Sequence, residues 1–355
     1  MNLLSKERAP VQGHEDYGFF GADSVTWKVW SYPTSLTIGF QRSVVVEELD
    51  PALIAAVDAT QAIVDRPRTR YDRTLRYFSM VAFGDSRSTS KAADILVKVH
   101  SKGIGIEPLS GKPYDANDPD SQLWIHLTAW HSILYAYETF GPGRLSPEEE
   151  TQYWQECAVA AELQTCSPDD VPRSREGIRE YFEYMRPRLA GSDAAQRMMA
   201  HLLRAEIMLP PTPPLLRPAN WVIARVLRAG TIATMPRWMR SMGGLRQSRL
   251  VDVLATLVLR VSFRTVHLSS RLELLLLQML SPMTVPVVKP ILLGVPPANP
   301  VTLTPAEARA RYGYDKPAEA HLALRAKQAT KVFGEGGTPS DEGIIESQQI
   351  LGSIA

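Results

Sequence analysis

Cysteine is scarce in this chain: Cys157 and Cys166 are the only two in 355 residues, and no CxxC pair is present. A thiolate zinc site and a disulfide framework are therefore both unexpected, and reduced intracellular thiols are the default. Neither sign of charge is in excess, with 39 basic against 38 acidic residues and a net charge of +1. That balance removes the general electrostatic reason to expect a nucleic-acid partner. A spanning helix needs about 20 apolar residues in succession, and the most apolar stretch, Leu274–Val288, has 15 uncharged residues broken by Pro282 and Pro286. The opening MNLLSKERAPVQGHEDYG is too poor in consecutive apolar residues for a secretory signal, so a cytoplasmic protein is expected. Glycine-rich phosphate loops, a GxSxG elbow and an EF-hand loop are also missing. Asp115, Asp118 and Asp120 alternate as calcium ligands do, but Pro119 and the lack of a distal glutamate favour a loop leading into a helix cap.

What is there reads as helices. Asp50–Pro51, Ser146–Pro147 followed by three glutamates, and Thr304–Pro305–Ala306–Glu307 each place a capping side chain before a proline-led first turn. Leu36, Ile38 and Phe40 alternate like a strand, yet Val44, Val45, Val46 and Leu49 continue with helical spacing, and a helix is expected there. LWIHLTAWHSILYAYETFG is a strongly apolar helix stopped by Gly141 and Pro142, and the proline-dense 210–218 is a surface crossing. The most hydrophobic region, 250–295, is expected to be a buried core helix. Peripheral membrane contact is the second choice, because Arg237, Arg240, Arg246 and Arg249 lie upstream among Trp238, Met239 and Met242. The expected organisation is all-α: a polar lead-in over 1–16, one multi-helix domain over 17–330 with a pocket between helices, and a flexible tail over 331–355.

Three groups of residues can carry chemistry. Ser88–Gly103 reads as a helix capped by Ser88 or Ser90, with Gly103 in the left-handed position beyond its end. His100 falls one turn after Leu96 on the stripe formed by Ala92, Leu96 and Val99, which points its imidazole inward. An inward imidazole needs a metal, carbonyl or carboxylate partner, and the residue alone leaves these open. Arg70, Arg73, Thr74 and Tyr77 share a helix face whose guanidinium and hydroxyl donors suit a carboxylate, a phosphate or bound dioxygen; a solvated basic face is the alternative. His126 sits among Trp124, Ile125, Leu127 and Trp130, and His131 lies about 140 degrees around the helix from it, so the two do not form a zinc-binding HxxxH pair.

The order GFFGADSVTWKVW, ELDPALIAAV, Arg70-x-x-x-Thr74, VKVHSKG, then PYDANDPD running into LWIHLTAW, resembles the MpaB and latex-clearing-protein (rubber oxygenase) family over roughly 17–185. The resemblance implies a distantly globin-like helical fold holding haem b non-covalently. It implies His100 as the proximal iron ligand, Arg70 and Thr74 lining the cofactor pocket beside Tyr77, and His126 as a possible second ligand. It implies catalytic roles for Arg70, Arg73 and Thr74, with dioxygen attacking a hydrophobic, isoprenoid or lipid substrate that enters along Phe78, Trp130, Ile133 and Leu134. The chain departs from the rubber-oxygenase pattern in two places. Arg73 stands near the family's distal lysine, and no glutamate falls between Glu48 and Arg70 to act as its base. A non-catalytic haem carrier, store or sensor on the same fold is the alternative, and a helical interaction protein without cofactor is the third reading.

Overall fold

The expected helical chain takes the form of sixteen α-helices among the residues described by the computed structural model, 11–60, 67–205, 209–210 and 213–340. The first third holds α1 (Val25–Trp30), a π-helical turn Ser35–Gly39 running directly into α2 (Phe40–Val46), then α3 (Pro51–Thr60), α4 (Pro67–Phe83) and α5 (Ser86–His100). An antiparallel hairpin, Ile104–Ile106 against Pro113–Asp115, interrupts the helices. Next come α6 (Pro119–Phe140), α7 (Pro147–Ala161), α8 (Arg175–Met185) and α9 (Asp193–Leu202). The last third is α10 (Arg217–Thr234), α11 (Arg237–Met242), α12 (Arg249–His267), α13 (Ser270–Leu280), α14 (Val285–Leu292), α15 (Pro305–Tyr312) and α16 (Leu322–Ala329).

Most anticipated caps are used. Asp50 Oδ1 accepts from the Leu53 amide at 2.8 Å and Asp118 Oδ1 from the Ser121 amide at 3.0 Å. Ser146 with Glu149, and Thr304 with Glu307, form reciprocal capping boxes. Helix α5 departs from expectation. Its cap is Asp85, whose Oδ1 accepts from the Ser88 amide at 2.7 Å, while Ser90 lies inside the helix and donates to the Ser86 carbonyl. Gly103 is not left-handed either. A Cβ there would stand 2.7 Å from that of Ala116, so glycine is needed for the close approach of the hairpin.

Helix α6 is apolar all round and accordingly runs through the core, against α2, the π-turn and α12. Trp130 is its pivot, with the rings of Tyr153, Trp30 and Phe20 at 5.0, 5.1 and 6.0 Å. This corrects one expectation: Phe78, Trp130, Ile133 and Leu134 are all buried in close packing and do not wall an open channel.

The 250–295 region also differs from the expected core helix. Helix α12 buries Ala255, Leu259 and Phe263 but exposes Leu250, Leu254, Leu257 and Val261. Its neighbours α6, α10 and α13 cover only one side. The uncharged run 274–288 divides between α13 and α14, and among the described residues no helix is long and apolar enough to cross a membrane.

Residues 14–18 lie along 298–303, with Tyr17 N to Val301 O and Leu303 N to Gly18 O both at 2.9 Å. From this segment the buried Asp16 carboxylate accepts from the Ser86 amide at 2.7 Å and from the Ser86 hydroxyl, fastening the start of α5. At the other end, Gln328 and Ser340 exchange two 2.8 Å hydrogen bonds, and the tail beyond 340 lies outside the described residues.

One packing constraint is directly testable. A Cβ on Gly39 would lie 2.9 Å from the Ile133 Cα, a backbone atom that cannot swing aside. Gly39→Ala is expected to lower the unfolding free energy by about 1–3 kcal/mol, read from urea melts. An unchanged midpoint would mean that α2 and α6 are not locked at this contact.

Candidate functional site

Helix α4 carries Arg70, Arg73, Thr74 and Tyr77, α5 ends on His100, and the 3-10 turn Glu47–Leu49 between α2 and α3 supplies two adjacent carboxyls. Arg70 is the electrostatic centre. Arg70 is exposed at the surface, and the protein packed around its stem still lowers its pKa by desolvation. Glu47 and Glu48 favour the Arg70 charge, and Arg73 opposes it.

The groups around Arg70 respond accordingly. Desolvation, with the Arg70 charge second, pushes the His100 pKa down to about 4, so the imidazole is neutral at physiological pH. Desolvation pushes Glu47 up to about 8 against the pull of Arg70. Glu48 rises well above the carboxylate range through desolvation and the neighbouring Glu47. Its Oε2 is buried without a hydrogen-bond partner among the described residues. The structure therefore adds Glu47 and Glu48 to the residues chosen from the sequence. No spacing rule marks them, since two adjacent acids beside valines look like the solvated end of a helix.

His100 is partly open, and its Nδ1 lies 3.4 Å from the Gln122 amide nitrogen, which itself donates to the Ala116 carbonyl at 2.7 Å. At that length the contact does not fix the tautomer. Among the described residues nothing hydrogen-bonds Nε2, the nitrogen left for a ligand. Half-buried Thr74 donates its hydroxyl to the Arg70 carbonyl at 2.9 Å, which leaves the oxygen free to accept.

The other sequence candidates separate from this set. Tyr77 is buried and its hydroxyl donates to the Leu163 carbonyl at 3.4 Å, where burial raises its pKa. His126 is enclosed, with Nε2 donating to the Cys157 carbonyl at 2.7 Å and Nδ1 buried without a partner among the described residues. His131 is half-buried, its Nδ1 facing the buried Arg42 guanidinium at 3.3 Å. Arg42 also donates to the Ser132 hydroxyl at 2.6 Å and to the Thr234 carbonyl. A separate cleft of about 440 Å³, lined by Lys28, His267 and Glu273 among others, shares no residue with the Arg70–His100 set.

Among the described residues no three His, Cys, Asp or Glu side chains converge as a metal cage. A metal at His100 must bring its other donors with it, as a metallo-macrocycle does. The donor set suits such a group: a neutral imidazole with an open nitrogen, and within electrostatic reach of it an exposed guanidinium suited to a carboxylate.

Glu47 gives this electrostatic arrangement a pH signature. A carboxyl at about 8 in the folded state and near its ordinary 4.5 when unfolded stabilises the fold below the lower value, and that stability is lost as pH rises to the upper one. Between pH 6.5 and 8 unfolded histidines, ordinary at about 6.5, still release part of their protons and raise stability slightly, so the carboxyl is read against Glu47→Gln over that interval. In the cofactor-free protein, unfolding free energy is expected to fall by up to about 2 kcal/mol across it. Glu47→Gln should flatten the decline in chemical denaturation, and an equal slope in both proteins would remove Glu47 from the Arg70 set.

No curated protein and no solved structure matches the chain. A protein-family profile does match it, over residues 27–268, about two thirds of its length. That family is described as ER-bound oxygenase mpaB/B'/Rubber oxygenase, catalytic domain. The matched span takes in Arg70, Thr74 and His100 and the helices that carry them, and the chain belongs to the mpaB and rubber-oxygenase catalytic-domain family.

Proposed function

We propose that this chain is a haem b-dependent oxygenase acting on a hydrophobic, isoprenoid or lipid substrate, with His100 as the protein ligand to iron. The observation that carries the reading is His100 itself: its imidazole is neutral, its Nε2 has no hydrogen-bond partner among the described residues, and it lies within electrostatic reach of the Arg70 cation. Bound there, the haem would supply iron redox chemistry toward dioxygen. The chain supplies the rest. Arg70 offers its guanidinium to a cofactor carboxylate, and its positive charge adds to desolvation in keeping His100 unprotonated and able to ligate. Arg73 adds a second cation close by. Thr74 keeps a hydroxyl oxygen able to accept while its proton is held by the Arg70 carbonyl. Glu47, at about 8, holds a proton at neutral pH and can release one, the task expected of a general acid or base. Tyr77 and His126 act at a distance, through packing and the Leu163 and Cys157 carbonyls.

The closed packing of Phe78, Trp130, Ile133 and Leu134 favours a second reading, a haem carrier or sensor with no substrate channel. Oxygen uptake with polyprenyl lipids separates the two, since only an oxygenase consumes dioxygen in proportion to substrate.

The purified protein supplied with haem is expected to show a Soret band that His100→Ala abolishes and His126→Ala retains. Arg70→Ala should weaken haem binding about tenfold or more while leaving the ligand in place. A band of full intensity in His100→Ala, or none in the unaltered protein, ends the proposal.

A further inference from the structure

We infer that the outward faces of α10, α12 and α13 form a docking surface that lays this protein on an anionic lipid bilayer. The inference is independent of the haem reading and rests on charge and exposure. Residues 211–300 contain eleven basic side chains against two acids, an excess of nine positive charges in a chain whose net charge is only +1. Both acids are consumed internally. Asp252 accepts from Arg240 at 2.8 Å and from Gln247 at 2.7 Å, and the buried Glu273 pairs with His267 at 2.7 Å. Outward, Arg217, Arg225, Arg249, Arg264 and Arg271 are exposed with no carboxylate of this segment among them.

Between those arginines the surface is apolar. Leu250, Leu254, Leu257 and Val261 follow one another along the exposed side of α12 at helical spacing. Trp221 at the start of α10 and Leu275 on α13 extend the patch, since α10 and α13 both pack on α12. Arg225 lies over the Trp221 ring at 5.0 Å, an amphipathic pair of the kind that sits at the headgroup level. Exposed apolar residues grouped in this way and rimmed by arginines mark an interaction surface.

Charge chooses the occupant. A symmetric dimer through this face would oppose the same positive excess on both partners. An anionic bilayer instead attracts each exposed arginine and accepts the apolar stripe between headgroups and acyl chains. The helices lie flat on it and do not insert: the inner side of α12 carries Asp252 and Arg260, the latter donating to the Thr139 carbonyl at 2.7 Å.

Flotation of the full chain with vesicles tests this, using phosphatidylcholine alone and phosphatidylcholine mixed with phosphatidylserine. The protein is expected to float only with the anionic vesicles, and to be released as salt is raised. Leu257→Asp with Val261→Asp changes residues that are 55% and 66% exposed; it should abolish flotation while leaving the melting temperature unchanged. Arg249→Gln with Arg271→Gln should weaken binding about 25-fold, from roughly fivefold per neutralised charge. The inference is overturned if the unaltered protein stays unbound, or if the aspartate variant floats equally well. It is also overturned if sedimentation reveals a dimer that the aspartate variant splits.

Discussion

A carboxyl taken out of water holds its proton unless a positive charge nearby favours the ionised form. Glu47 and Glu48 meet that constraint beside Arg70. Burial raises both carboxyls, and the Arg70 charge acts against that rise. That charge in turn discourages a second positive charge on His100. The four side chains form one electrostatic unit in which the state of each depends on the others. Helices α4 and α5 and the short turn at Glu47 converge to bring them together.

Rigidity at this convergence comes from elsewhere in the fold. Trp124 of α6 donates from its indole nitrogen to the Glu47 carbonyl at 3.2 Å, tying the carboxyl-bearing turn to the central helix. Arg175 of α8 grips Glu138 of α6 at 2.6 Å and Glu150 of α7 at 2.8 Å, so three helices share one partly buried ion network. Such a network, bidentate and shielded, holds position better than isolated surface pairs do.

Much of this was legible in the residues. Capping chemistry is local, so Asp50, Asp118, Ser146 and Thr304 announced their helices correctly. The cap of α5 was misplaced because Asp85, Ser88 and Ser90 are all competent caps, and only the tertiary position of the helix selects among them. Gly103 looked like a helix stop, but its real constraint is contact with Ala116, thirteen positions on, which no local rule contains. His100 and Arg70 could be singled out from helical spacing and family resemblance. Glu47 and Glu48 could not, because their significance comes from burial beside a residue more than twenty positions away. Apolar periodicity marked 250–295 as hydrophobic without revealing that one side would find no protein partner.

The fastening of α5 by Asp16 carries a consequence for assembly order. Asp16 reaches Ser86 from a segment held along residues 298–303. The first and last parts of the described chain must therefore meet before the histidine-bearing helix is clamped at its start. During synthesis that closure waits until residues 298–303 have left the ribosome, more than two hundred positions after Ser86, so the start of this helix is clamped late and as a product of long-range pairing.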